Sequence, residues 1–195
     1  DTFGEFALYY QLKFSPSADA VIGDAIGAKA EVATKVDGKD MAEALFGDTL
    51  ANIATEAKAD SVTAFIVTTT ATATVEAKSY LILVKDTGGL VFELYSITEL
   101  SSTPEKAVKV HNPDYTLKSI SDDPITLAEL NALGGVADYY SEYTTLAELF
   151  TALEVPSGVT AYVYATAWNE WPTEAYVVLE YDGYYIGFEW LYTGA

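Results

Sequence analysis

The sequence predicts a strand-dominated α+β fold: two tandem copies of a unit of roughly 100 residues, each mostly antiparallel sheet with short helices. Three observations predict it. Short runs rich in Tyr, Phe, Val and Thr alternate in the period-2 manner of strands. Clusters of Gly, Asp, Ser and Pro punctuate those runs where turns are needed. The chain also repeats itself. Displaced by 96 residues, SYLILVKDTGGLVFELY (79–95) lies on AYVVLEYDGYYIGFEWL (175–191). Tyr80 then meets Tyr176, Leu83 meets Leu179, Asp86 meets Asp182, and Phe92 and Glu93 meet Phe188 and Glu189.

The elements follow in order from local signals. FALYYQLKF (6–14) has the aromatic alternation of a strand. ADAVIGDAIGA (18–28) and LAELNALGG (127–135) spell short helices that stop near a glycine, the residue that takes a left-handed C-cap at least cost. KAEVATKV (29–36) and VADYYSEY (136–143) alternate as strands. DMAE, from Asp40, and TTLA, from Thr144, open second helices with capping residues. Strands are predicted at 62–70 and 159–167. Hairpins are predicted at 79–85 with 90–96 and at 175–181 with 184–192, turning at Lys85–Gly89 and Asp182–Gly183. SSTPEKA, from Ser101 to Ala107, reads as a linker between a first unit over 1–100 and a second over 101–195.

One stretch departs from ordinary strand chemistry. TTTATAT (68–74) continues the 62–70 strand, with Thr70, Thr72 and Thr74 on one face and Ala71 and Ala73 on the other. Neither face is bulky, so the ribbon buries little and sets register weakly. It reads either as an exposed loop or edge, or as an extension that pairs with a neighbouring subunit's sheet.

Composition narrows the function. Half of the 195 residues are hydrophobic and only a fifth are charged, which argues for a folded core. Acidic residues number 29 against 10 lysines, with no arginine, for a net charge of −19. Phosphate backbones need a cationic face, so nucleic acid is excluded as a partner, and anionic membranes are disfavoured. No apolar run approaches the roughly 18 residues of a membrane helix, so no membrane insertion is expected. The absence of cysteine removes thiol catalysis, disulfides and thiolate metal sites. A chain beginning at Asp1 leads to the expectation of a processed, exported precursor. None of the four asparagines lies in a glycosylation sequon.

No catalytic signature stands out, and the expectation is a protein that is not an enzyme. His111 is the single histidine and has no nucleophile motif around it; in HNPDY it reads as a solvent-exposed turn residue. No phosphate-binding loop occurs, and Gly23 and Gly27 lack dinucleotide spacing. No cofactor is predicted apart from calcium, which takes oxygen ligands. Its candidate ligands are Asp114, Asp122 and Asp123, with Asp37 to Asp40 as a further acidic turn; turn and cap roles compete with binding at each. Trp168, Trp171, Tyr184 and Tyr185 are candidates for a ligand or an interface, since flat aromatics stack on sugars and also enrich protein contacts.

In style the chain resembles the proteins of archaeal extracellular sheaths and related surface layers, on stretches such as TTTATATVEAK and YDGYYIGFEWLY. That resemblance implies a non-enzymatic wall subunit joined edge to edge by strands, located outside the cell, with copies of itself as partners. Thr70, Thr72 and Thr74 are then the candidate assembly strand. The competing expectation is a secreted carbohydrate-binding module using the exposed Trp and Tyr residues, and a third is a hydrolase with a carboxylate pair.

Overall fold

Alternation lays out the first sheet. The structure is a computed structural model and describes residues 17–27, 31–114, 125–126, 156, 158–168 and 171–192. In β2 (Ser61–Thr69), Val62 and Ala64 are buried between more exposed neighbours, and Ile66 and Val67 are both fully buried. In β3 (Ser79–Asp86), Leu81, Ile82, Leu83 and Val84 are all buried, as a strand covered on both faces requires. β1 (Val32–Asp37) pairs antiparallel with β2, setting Val36 opposite Ile66, and β2 pairs antiparallel with β3, setting Phe65 opposite Ile82. β4 (Phe92–Leu100) completes the order β1-β2-β3-β4. Two ion pairs, Lys85–Glu93 at 2.7 Å and Lys78–Glu99 at 3.5 Å, join β3 and its approach to β4 in opposite sequence directions, so these strands are antiparallel too.

Among the described residues three helices lie along this part of the chain, and two of them pack on this sheet. α1 (Ala18–Ile26) begins at Ser17, whose Oγ accepts the Ala20 N–H at 3.2 Å, and stops before Gly27 as predicted. It packs Val21 and Ile22 against Val67, Ile82 and Val84, with Phe65, Tyr80 and Phe92 at the margin. Full burial of a side chain such as Ile22 contributes about 1.5–3 kcal/mol. α2 (Lys39–Phe46) buries Met41 and Ala42. α3 (Leu50–Glu56), which sequence signals did not single out, is capped by Thr49, buries Ile53 and Ala54, and packs on β2.

The second sheet comprises β5 (Ile125–Thr126), β6 (Val159–Trp168), β7 (Trp171–Tyr181) and β8 (Tyr184–Tyr192), in that order and antiparallel throughout. β7 and β8 turn at Asp182 and Gly183, with φ of 46° and 82°, the left-handed pair that a two-residue hairpin demands. α4 (Pro104–Lys109) lies on this sheet, burying Ala107 and Val108 among Tyr164, Tyr176 and Val178. The chain divides into two compact units, Asp1–Ala42 with Asp48–Glu99, and Glu43–Gly47 with Leu100–Ala195.

Local signals left the form of two stretches open. The Ser101–Ala107 stretch, expected as a linker, holds the start of a helix. Thr103 caps α4 by accepting the Lys106 N–H at 3.2 Å, and Pro104 occupies the first turn, where its missing N–H costs nothing. The Thr/Ala ribbon is not strand beyond Thr69. The Thr69 N–H donates to the Lys78 carbonyl at 2.8 Å and its Oγ1 accepts the Lys78 N–H at 2.9 Å, closing a loop in which residues 70–78 are all exposed. Thr70 donates its N–H to the Glu31 carbonyl at 2.9 Å. Thr72 turns the chain, its Oγ1 accepting the N–H groups of Thr74 and Val75 at 3.4 and 3.1 Å. Small side chains offer no burial to hold a ladder, so local hydroxyl bonds win. The elements expected at 6–14, 127–135 and 136–143, and the helix expected from Thr144, lie outside the described residues. Among the described residues, no helix is long and apolar enough to cross a membrane.

Candidate functional site

Among the described residues β1 lies at an edge of its sheet, and all six of its residues are exposed. Its sequence, VATKVD, has too few bulky residues to draw a covering element over both faces. Val32 and Val36 remain 44% and 41% exposed, high for β-branched residues in a sheet. A register shift between Val32 and Thr34 marks a bulge, which leaves Thr34–Asp37 as the regular part. The Gly38 N–H donates to the Ala64 carbonyl at 3.1 Å and fixes the phase of the ladder. Alternation of bonded pairs then turns Thr34 and Val36 toward β2, while Lys35 and Asp37 direct their backbone groups away from the sheet.

The Lys35 side chain lies on the α1 face, since Lys35 stands opposite Val67 of the α1 cluster. Its Nζ pairs with Asp19 of α1 at 2.5 Å and sits 4.8 Å from the Phe65 ring centroid. Asp19 is well exposed, so the ion pair contributes little to stability by itself.

Among the described residues the opposite edge of the same sheet is β4, where Leu94 and Ile97 are 40% and 39% exposed. Thr87 donates its N–H to the Val91 carbonyl at 2.9 Å, which sets the phase of the β3–β4 ladder. Glu93, Tyr95 and Ile97 therefore bond toward β3, and Phe92, Leu94 and Ser96 turn their backbone groups outward. An open cleft of about 330 Å³ lies between α1 and this end of β4, lined by Val21, Asp24, Ala25, Phe92, Glu93 and Leu94. Its floor is apolar. Glu93 is already paired with Lys85, whereas no ion pair holds Asp24 among the described residues.

The second sheet places the aromatic candidates. Trp168 and Trp171 stand opposite each other in the register at the end of the β6–β7 hairpin; only their backbone positions are described. Tyr184 pairs with Tyr181 beside the β7–β8 turn and is half-buried. Tyr185 packs against the α4 cluster, and its backbone exchanges two hydrogen bonds with Ser101, at 2.7 and 3.0 Å, which covers the edge of β8 at that point. On the same face, burial raises the pKa of Tyr162, and the Glu180 carboxylate, which accepts a hydrogen bond from its hydroxyl, raises it further.

Asp114 is exposed in the turn after α4, and Asp122 and Asp123 lie outside the described residues. The Asp37 carboxylate accepts the Lys39 N–H at 2.9 Å, a turn role at the start of α2. Among the described residues, no group of three or more acidic or histidine side chains is arranged to hold a metal ion. His111 lies on the surface, as expected, but is held: its N–H donates to the Val108 carbonyl, its Nε2 meets the Gly187 carbonyl, and its ring lies 6.4 Å from that of Tyr176. Sequence reasoning missed the two edges of the first sheet. The only available signal was the scarcity of bulky residues in VATKVD.

No protein-family model, curated protein or solved structure matches this chain.

Proposed function

We propose that this chain is a structural, self-assembling subunit of an extracellular surface layer, sheath or filament, joined through β-strand edges. The observation that carries the reading is β1: an edge strand exposed at every residue, with outward backbone donors and acceptors at Lys35 and Asp37. Such an edge is a template for another strand. The junction lies at β1 and not at Thr70, Thr72 and Thr74, which are turned into a loop. The acidic surface fits a role in which copies stay soluble until they meet in register.

The reading includes an internal duplication. Under the 96-residue displacement β3 falls largely within β7, while β4 overlaps only the second half of β8, and both sheets run in sequential order. A duplicated subunit presents two similar but unequal sheets to its neighbours, which suits a lattice with two kinds of contact.

Electron microscopy of the purified chain, beside its sedimentation profile, tests the proposal. Ordered tubes, sheets or filaments are expected. A monodisperse monomer at every concentration and salt condition would overturn it.

A second reading, a carbohydrate-binding module, is favoured by one observation: the hairpin register sets Trp168 opposite Trp171. Quenching of tryptophan fluorescence by soluble polysaccharide, lost in Trp168→Ala and Trp171→Ala, would favour it over assembly.

A further inference from the structure

The two edges of the first sheet are not equivalent, and their differences fit each other. We infer that subunits add head to tail, the β1 strand of one copy pairing with the outer edge of β4 in the next, with Lys35 entering the cleft beside Asp24. The inference rests on the self-assembly reading above and specifies its junction.

Strand count is the first support. The first sheet has four strands in sequential order, each antiparallel to the one before. With an even number, β1 of a second copy placed beyond β4 by translation runs antiparallel to it. The same operation repeats without end, so the contact is heterologous and open. It also keeps the faces in order, since the α1 face of one copy continues as the α1 face of the next.

Phase is the second support. Lys35 turns its backbone groups out of β1, and Phe92 and Leu94 turn theirs out of β4. A register that sets Lys35 opposite Phe92 or Leu94 therefore joins outward groups to outward groups. The bulge near Val32 limits the pairing to the short segment Thr34–Asp37. An edge of that length needs side-chain contacts to define it.

Charge is the third support. Lys35 projects on the α1 face of its own sheet. After translation that is the face on which Phe92 and Leu94 line the cleft with Val21, Ala25 and Asp24. The apolar lining accepts the lysine stem, and Asp24 accepts the ammonium group. Lys35 exchanges one exposed carboxylate, Asp19, for a carboxylate at an apolar cleft. Pairing of β1 with β1 of a second copy leaves the cleft and Asp24 unused, so Asp24→Lys separates it from the head-to-tail junction by leaving assembly undisturbed.

Charge reversal tests the junction without touching the core. Lys35→Glu and Asp24→Lys are each expected to raise the concentration at which polymers first sediment by about 2- to 30-fold, because each faces like charge across the contact, while far-UV circular dichroism stays that of the parent. An equimolar mixture of the two is expected to restore the parent's threshold. Every junction in an alternating array is then either the parent pair, Lys35 on Asp24, or its charge-swapped mirror, with the carboxylate on the strand and the ammonium in the cleft. The double variant is expected to grow by itself. If the parent chain does not assemble, the function proposed above falls and this inference with it. If the parent assembles while either single variant keeps the parent's threshold, or while the mixture fails to restore it, the head-to-tail junction is wrong and the broader reading stands.

Discussion

Tyr162 shows how one side chain carries a pH signature. It is half-buried on the α4 face of the second sheet, and both burial and the Glu180 carboxylate favour the protonated form. In the unfolded chain Tyr ionises near about pH 10. A group whose folded pKa is raised gives stability that is fully present below the unfolded value and lost as the pH climbs through the folded one. Tyr162→Phe is therefore expected to flatten the fall in stability above about pH 10, read as urea midpoints of variant and parent across that window. At neutral pH the variant loses about 1 kcal/mol, because Glu180 loses a donor. Parallel midpoint curves for the two proteins would remove Tyr162 from the account. None of this was visible in the sequence, where Tyr162 is one aromatic in VTAYVYATAW. Glu180 lies eighteen residues on, and only the β6–β7 register, Tyr162 opposite Val178 and Thr160 opposite Glu180, brings the pair together.

Among the elements, α4 is held by a close approach. A Cβ built on Gly187 would stand 2.6 Å from the Ala107 carbonyl oxygen and 2.8 Å from its carbon, and these backbone atoms move only if the helix moves. Gly187→Ala is expected to cost about 1–3 kcal/mol in chemical denaturation, the range for overpacking a tight contact. His111, the single histidine, reports on it, because its Nε2 meets the Gly187 carbonyl; its imidazole NMR signals are expected to shift. Unchanged stability with unshifted signals would show that α4 is not seated on Gly187. The same helix shows where sequence reading stops. Ser102, Thr103 and Pro104 mark a linker and a helix start equally well, and the distinction lies in whether Ala107 and Val108 find a sheet to cover. The strands of the two hairpins were legible because their burial alternates or runs continuously between turn residues. Thr70, Thr72 and Thr74 misled because alternation of two small residues carries the strand period without the burial that stabilises a strand. That β1 and β4 are edges depends on pairings some 30 residues apart in the chain, which no local pattern encodes.

Across the whole molecule, two electrostatic terms oppose each other in assembly, and their ranges decide the winner. Each copy carries a net charge of −19, so approaching copies repel at long range. The junction inferred between Lys35 and Asp24 is one attractive pair at contact distance, worth about 0.2–1 kcal/mol if it behaves as other exposed pairs do. Salt screens the first term far more than the second, because the Debye length falls from about 10 Å at 0.1 M to about 3 Å at 1 M. Backbone hydrogen bonds along the β1–β4 contact and the apolar burial of the lysine stem are not screened at all. Raising sodium chloride from about 0.05 to 0.5 M is therefore expected to lower the protein concentration at which polymers first sediment. The charge-reversed single variants separate the two terms: more salt relieves their like-charge contact as well, so their deficit against the parent narrows as salt rises. A threshold that climbs with salt in the parent would mean that specific ion pairs, and not strand pairing, hold the copies together.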